Sequence, residues 1–450
     1  MELQAIERVY FVGVGGIGMS ALARYFVMRG CVVNGYDKTR TKLCAALEAE
    51  GIAISYQDDT DAIDTEFLEP TESTLVVYTP AIPGNSLILN HFRQSGFKLH
   101  KRSEVLGIIS AGQYCIAVAG THGKTTTSAM IAHVLKETGY DCTAFLGGIA
   151  SNYDSNFISG KNNVVVVEAD EYDRSFLTLH PDIAVITSMD ADHLDIYGDE
   201  NQLQESFRLF AGQLKPEGTL FAKTGLPLAA ARSYSIGQSE DIAATNIGVE
   251  AGHFVFDYEN GSTVIKGISM LLPGRHNIEN ALAAISVALK LGIESDKIKE
   301  ALQHFKGVKR RFEYIVRNAD QVYVDDYAHH PAELSACFTA LRELFPKQKL
   351  TVIFQPHLFS RTRDFATEFA EVLSTVDDLV LLDIYPAREL PIPGITAEYL
   401  LDKISIQDKK ILNKSQVLGY IEAKHPALLV TVGAGDIDTL VEPLKAIYHA

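Results

Sequence analysis

The sequence predicts an α/β protein built of three layered segments. Three observations carry this. The chain has 450 residues, enough for about three domains of ~150 residues each. Short β-branched runs alternate with stretches of helical periodicity along most of the chain, the pattern of parallel sheets covered by helices. Two glycine-rich turns, at 13–18 and 120–125, each join an apolar run to a helical pattern.

The first segment, residues 1–109, opens with a strand over 9–14 and the turn Gly13-Val14-Gly15-Gly16-Ile17-Gly18. Met19, Leu22, Ala23, Phe26 and Val27 then recur on one helical face. A second strand over 31–36 ends at Asp37, and further strands are expected at 52–56 and 74–78. A GxGxxG turn with an acidic residue at the end of the next strand has the spacing of a dinucleotide fingerprint. The same turn and helix N-terminus would hold any diphosphate, including that of a nucleotide sugar.

The second segment, residues 110–312, begins with a strand over 115–119 and continues through Gly120-Thr121-His122-Gly123-Lys124-Thr125-Thr126 into a helix over 128–135. The glycines let backbone N–H groups turn toward a polyanion. Lys124 adds a mobile positive charge, and Thr125 offers a hydroxyl to Mg²⁺. This loop implies a nucleoside triphosphate, although Val118 stands where the longer GxxxxGK[ST] pattern has its first glycine. The runs over 163–167 and 183–187 are continuously apolar, as suits strands covered on both faces. Glu168 ends the first run and is the candidate metal carboxylate. Asp170, Glu171 and Asp173 crowd the same turn, and most of them are read as solvated or hydrogen-bonded within it. His193, in MDADHLD after the second run, is the candidate ligand of a second Mg²⁺, with Asp192 and Asp195 as helix caps. More antiparallel strands are expected at 218–222, 253–258 and 262–272. Gly274-Arg275-His276-Asn277 then opens an alanine-rich helix over 278–291 that carries Asn280, with base recognition and helix capping as the two readings. A short helix over 297–305 closes the segment.

The third segment, residues 313–450, follows the basic cluster Lys309-Arg310-Arg311. Strands over 321–324, 350–354, 379–384 and 428–432 alternate with helices that include 331–344 and 365–373. Asp325-Asp326-Tyr327-Ala328-His329-His330 follows the first strand, and Arg361 and Arg363 follow the second. These groups are expected to form a face directed at the triphosphate and a second substrate. The adjacent aspartates and histidines are not read as a metal site, because neighbours on a loop seldom ligate one ion together.

Composition narrows the function. A formal net charge of −17 argues against nucleic-acid or anionic-membrane partners. No apolar run approaches ~18 residues, and the N-terminus has no basic segment followed by an apolar stretch, so neither a membrane span nor a signal peptide is expected. Five cysteines without CxxC or zinc spacing read as reduced thiols, and a cytoplasmic protein is expected.

The stretches VYFVGVGGIGMSALA, KRSEVL, AGTHGKTTT, VEADEYDRSFL, ITSMDADHLDIYG, PGRHNIENALAA, KGVKRRFE, VDDYAHHPAE, FQPHLFSRTRD and TVGAGDID run from residue 9 to residue 438. This set resembles the Mur ligases of peptidoglycan synthesis. The resemblance implies an N-terminal Rossmann-like UDP-binding domain, a central ATPase domain and a C-terminal Rossmann-like domain. It also implies ATP-dependent ligation of L-alanine to the carboxylate of UDP-N-acetylmuramate through an acyl phosphate, with ATP and Mg²⁺ as cofactors. Carried over by position, Lys124, Glu168, His193, Arg311 and Asp326 are the catalytic set, and Thr125, Glu168 and His193 the metal ligands. Gly120, Thr121, His122, Gly123, Thr126, His276, Asn277 and Asn280 join Lys124, Thr125, Arg311 and Asp326 around ATP. Gly15, Gly16, Ile17, Gly18, Ser20, Thr79, Arg102 and Glu104 are expected at the UDP substrate. Tyr327, His329, His330 and Arg361 are expected at the amino acid. Two departures stand out: Ser188 replaces an asparagine common in relatives, and no lysine lies between His193 and Lys215 to be carbamylated. The alternatives are a ligase that recycles a tripeptide and an NAD-dependent oxidoreductase using Gly13–Gly18 and Asp37. The second leaves the other phosphate loop without a role. The oligomeric state is not legible.

Overall fold

The computed structural model describes residues 3–190, 197, 199–229, 231–237, 241–387 and 389–449. Strands β1 (Arg8–Val12), β2 (Val32–Tyr36), β3 (Ala53–Ser55), β4 (Thr74–Tyr78) and β5 (Leu99–Lys101) form a parallel sheet in the order β3-β2-β1-β4-β5. The order reverses beside β1, so the glycine turn that leaves β1 opens at the crevice where such sheets bind ligands. β1 stops at Val12, short of the expected residue 14, because Gly13 at φ +94° leaves the extended region.

Strands β6 (Tyr114–Ala119), β7 (Thr143–Ala150), β8 (Ser155–Ile158), β9 (Val164–Glu168), β10 (Ile183–Ile186), β11 (Thr219–Lys223), β12 (Arg232–Ile236), β13 (Ile242–Glu250), β14 (His253–Glu259) and β15 (Val264–Met270) make the second sheet. Its order is β15-β14-β13-β12-β11-β10-β6-β9-β7-β8. β6 lies between β9 and β10 and runs parallel to both, pairing Val118 with Glu168 and Ala119 with Ile186. Their carboxyl ends therefore present the phosphate loop, Glu168 and Thr187 side by side. β11 runs parallel to β10 and β12, which corrects the antiparallel expectation for 218–222. The β7–β8 hairpin went unread because paired glycines interrupt its apolar pattern.

Strands β16 (Glu313–Arg317), β17 (Val322–Asp326), β18 (Leu350–Phe354), β19 (Asp378–Leu381), β20 (Lys409–Ile411) and β21 (Leu428–Val432) form the third sheet in the order β16-β17-β21-β18-β19-β20. Only β16 is antiparallel to its neighbour.

The chain divides into two compact units. The first comprises 1–245, 257–268 and 279–305, and the second 246–256, 269–278 and 306–450. Within the first, one apolar core runs from Val9 and Phe26 under the N-terminal sheet to Phe145, Val167 and Phe210 around the second. Tyr25 of helix Ile17–Met28 packs its ring 5.5 Å from Phe145 and 6.2 Å from Phe157 of the β7–β8 hairpin. Arg24 beside it bonds Glu50 and Asn156. This interface makes the glycine turn and the phosphate loop parts of one body. The second unit has its own core around Tyr323, Ile353 and Leu429.

Candidate active site

The helix after β6 spans Lys124–Glu137, so Lys124 and Thr125 lie in its first turn rather than in the loop before it. Gly120 at φ +139° and Gly123 at φ +83° shape the turn. A Cβ at Gly120 would stand 2.1 Å from Thr187 Oγ1, and one at Gly123 would stand 2.9 Å from Asn280 Oδ1, so glycine is required at Gly120 on space as well as angle. Thr187 and Ser188, just beyond β10, hold the loop. Thr187 Oγ1 donates to the carbonyls of Ala119 (3.1 Å) and His122. Ser188 Oγ accepts from His122 N–H at 2.7 Å and bonds Thr121 Oγ1 at 2.8 Å. Neither residue was among the expected site residues. The signal lay in Ser188 itself, noted only as a departure from an asparagine.

Glu168 Oε1 accepts from Thr125 Oγ1 at 3.0 Å, and Oε2 from Gly147 N–H at 2.9 Å. The two expected metal ligands are thus neighbours. Burial pushes the Glu168 carboxyl above its usual range, against the lowering pull of Lys124 and of the Thr125 hydrogen bond. Lys124 Nζ donates to Gly120 O at 2.5 Å and lies 2.9 and 2.8 Å from the two oxygens of Glu171, whose side chain is 1 % exposed. Burial lowers the Lys124 pKa, but Glu171, Glu168 and Asp170 outweigh it, and the ammonium lies above its ordinary value. The expectation that most of Asp170, Glu171 and Asp173 are solvated or turn-bonded holds for Asp170, which accepts from Tyr172 N–H at 3.1 Å, and for the part-exposed Asp173. It does not hold for the buried Glu171, and each of the three also pairs with a cation. Asp170 meets Arg102, Glu171 meets Lys124 and Asp173 meets Lys101.

Thr126 is buried in the helix. The Asn277 amide bonds Pro273 O at 2.6 Å and is buried, and the His276 ring folds back over Gly274; both shape the start of the helix Arg275–Lys290. Asn280, one turn on, lies beside Gly123 of the phosphate loop. His193, with Asp192 and Asp195, lies outside the described residues. Among the described residues no group of three or more His, Cys, Asp or Glu could hold a metal.

At the glycine turn, Gly16 caps the helix Ile17–Met28, and Arg102 lies over Gly18, where a Cβ would come within 2.9 Å of its Cδ. The Thr79 methyl lies against Gly13. Ser20 is corrected: it is fully buried, with Oγ donating to Ile17 O and accepting from Asn156, so it is withdrawn from any ligand. Glu104 caps its own helix by accepting from Lys101 N–H at 2.9 Å. Asp37 accepts from Gly15 N–H at 2.8 Å and braces the turn, which commits one of its oxygens to the loop instead of a ribose.

In the second unit, the two aspartates after β17 separate by role. Asp325 is buried, accepts from Thr431 Oγ1 and pairs with Arg310 at 3.4 Å. Asp326 accepts from Phe312 N–H and Ala328 N–H, each at 2.7 Å, and ties together the loops that carry Arg311 and Tyr327. Burial raises both carboxyls to about 6, against the pull of Arg310 on one and Arg311 on the other. Tyr327 has the guanidinium carbons of Arg310 and Arg311 4.9 and 5.0 Å from its ring centre. His329 pairs with Glu333 at 3.2 Å, and burial, helped by Arg361 and Arg311, lowers its pKa to about 4. His330 caps the helix Pro331–Leu344 and packs on Phe365 at 4.7 Å.

Models of three domains match the chain: the Mur ligase family catalytic domain over residues 8–114, the Mur ligase middle domain over 118–288 and the Mur ligase glutamate ligase domain over 310–437. A UDP-N-acetylmuramate–L-alanine ligase of Christiangramia forsetii is 50% identical over 449 residues, covering 100% of this chain and 99% of the relative. A protein of the same name from Flavobacterium psychrophilum is 49% identical over 447 residues, 99% of each chain. Among solved structures, the UDP-N-acetylmuramate–alanine ligase of Thermotoga maritima is 27% identical with a TM-score of 0.84, over 98% of this chain and 99% of that one.

Proposed function

The chain belongs to the Mur ligase family, and from that premise we propose that it joins L-alanine to the carboxylate of UDP-N-acetylmuramate, driven by ATP. The observation that carries this reading is that one compact unit holds two glycine turns of the kind that bind phosphate. Each lies at a helix N-terminus, and each has a cation beside it, Lys124 at one and Arg102 at the other.

In the reaction, a carboxylate oxygen of the sugar nucleotide attacks the γ-phosphorus and ADP leaves. The amine of alanine then attacks the acyl carbon and loses a proton. Phosphate departs with the oxygen that the carboxylate supplied. The difficulty is to bring two anions together. Lys124 meets it with positive charge at the β- and γ-phosphates, and the N-terminal N–H groups of the helix Lys124–Glu137 add theirs. Thr125 and Glu168 fit Mg²⁺, because a hydroxyl and a carboxylate 3.0 Å apart are hard oxygen donors, and an ion so held would neutralise phosphate charge. His193 would serve a second ion. Asn280 sits where it can meet the nucleotide. Arg311 brings charge to the acyl transfer, and Asp326 positions it by fixing the Phe312 and Ala328 amides. Tyr327, neutral His329 and Arg361 shape the amino-acid pocket. Thr79, with the glycine turn and Arg102, receives the UDP diphosphate. A cytoplasmic setting fits these substrates, and among the described residues no helix is long and apolar enough to cross a membrane.

The test supplies UDP-N-acetylmuramate, ATP and Mg²⁺ with either L-alanine or the L-Ala-D-Glu-diamino-acid tripeptide. The expected result is phosphate release that requires L-alanine. Release only with the tripeptide assigns the recycling reaction, and none with either overturns the reading.

A further inference from the structure

The two phosphate-binding turns are bridged by a single short loop. It leaves β9 at Glu168 and returns against the helix Arg102–Ala111, where Thr178 Oγ1 donates to Ser103 O at 2.9 Å. Asp170 and Glu171 are consecutive, yet they face different partners. Asp170 Oδ2 accepts from Arg102 Nη2 at 3.1 Å, and Arg102 is the guanidinium that lies over Gly18. Glu171 grips Lys124 with both oxygens and is almost wholly buried. Arg102, Glu168 and Asp170 line one small cavity, so the Arg102–Asp170 pair lies beside the carboxylate that meets Thr125. The loop is also wound tightly. Asp173 and Arg174 both have φ +54°, and the Tyr197 hydroxyl and Arg174 N–H both bond the Glu171 carbonyl.

We propose that Asp170 and Glu171 are resident anions that occupy Arg102 and Lys124 in place of the two substrates' phosphates, so that the sugar nucleotide and ATP load cooperatively. The inference rests on the functional reading above, with UDP at the glycine turn and ATP at the phosphate loop. An arriving γ-phosphate competes with Glu171 for Lys124, and a diphosphate competes with Asp170 for Arg102. Glu171 is packed on every side and its carbonyl is held by Tyr197 and Arg174, so displacing it from Lys124 shifts the loop backbone, which carries Asp170 one residue away. The cost of unseating the loop is incurred once, by whichever nucleotide enters first. The second then binds a site already vacated, and linkage makes the effect equal in both directions.

Calorimetry on the full chain tests this with the non-hydrolysable analogue AMP-PNP plus Mg²⁺ and with UDP-N-acetylmuramate, each titrated alone and with the other saturating. In the unaltered protein each ligand is expected to tighten the other by about five- to tenfold. Glu171→Gln is expected to bind AMP-PNP more tightly than wild type in the absence of sugar nucleotide, and Asp170→Asn to bind the sugar nucleotide more tightly in the absence of AMP-PNP. In both variants the mutual effect should fall below twofold. Mutual tightening below twofold in wild type overturns the proposal without recourse to any variant. So does undiminished coupling in both variants, or weaker AMP-PNP binding by a normally folded Glu171→Gln protein. If wild type binds neither nucleotide, the functional reading itself fails.

Discussion

Gly147→Ala should cripple the enzyme while leaving its fold almost untouched. The residue lies in β7, and its N–H donates to Glu168 Oε2 at 2.9 Å. A Cβ there would stand 2.3 to 2.4 Å from all three atoms of the Glu168 carboxylate group. The obstacle is the far end of a flexible side chain, so the fold can relieve the clash by swinging that carboxylate away, at a cost within the range of ordinary point mutations. Relief requires a retreat of about 1 Å, a displacement that typically costs about 10²-fold in rate at a reacting centre. It also removes hydrogen bonds to a charged group, each worth about 1.5–3 kcal/mol. We therefore expect kcat to fall roughly 100-fold and half-saturation by Mg²⁺ to move up, with the thermal midpoint shifted by no more than a few degrees. Coupled ADP-release assays across a Mg²⁺ series, beside calorimetric binding of UDP-N-acetylmuramate, read all of this out. A variant with kcat within twofold of wild type at limiting Mg²⁺ would refute the placement of Glu168 at the metal.

Lys124→Ala should abolish ADP release while far-UV circular dichroism stays unchanged. Wild-type-like turnover would remove the phosphate-loop argument. Ser188→Ala loses the acceptor for His122 N–H and the partner of Thr121 Oγ1. At about 1–3 kcal/mol for a buried group left unsatisfied, AMP-PNP affinity measured by calorimetry should drop about tenfold, and an unchanged affinity would show that the loop holds its shape without this contact. Asp325 gives a pH signature. Its folded pKa of about 6 lies above the ordinary 3.8, so the folded state holds the proton more tightly than the unfolded one. Stability from this group is fully present below about pH 4 and is lost as pH rises through 6. A shift of about two units corresponds to about 3 kcal/mol. Relative to wild type, Asp325→Asn should therefore gain about that much in urea unfolding between pH 4 and pH 7. A constant difference across that range would contradict the burial argument.

Much of this site could be read in the sequence wherever chemistry is local. Gly120, Gly123, Lys124 and Thr125 lie in one short run whose glycines and charge announce a polyanion, and the apolar strand before Glu168 fixes where that carboxylate emerges. What escaped reading depends on contacts remote along the chain. Gly147 matters only because β7 pairs beside β9, and Thr187 only because β10 pairs beside β6. Asp170 and Glu171 looked like turn residues because composition cannot reveal that Arg102 and Lys124 stand opposite them. Ser20 misled in the other sense. Its place beside the glycine turn suggested a ligand, yet the helical repeat turns it inward onto Asn156. The N-terminal sheet and the phosphate-loop sheet share one core through Tyr25, Phe145 and Phe157, aromatic residues that separate readings of each segment leave unconnected.

In the proposed reaction the γ-phosphoryl group passes to the sugar nucleotide's own carboxylate before alanine attacks. UDP-N-acetylmuramate carrying ¹⁸O in both carboxylate oxygens tests it directly when the released phosphate is weighed by mass spectrometry. One ¹⁸O is expected in each phosphate formed. Phosphate free of label, alongside normal formation of the alanyl product, would contradict it.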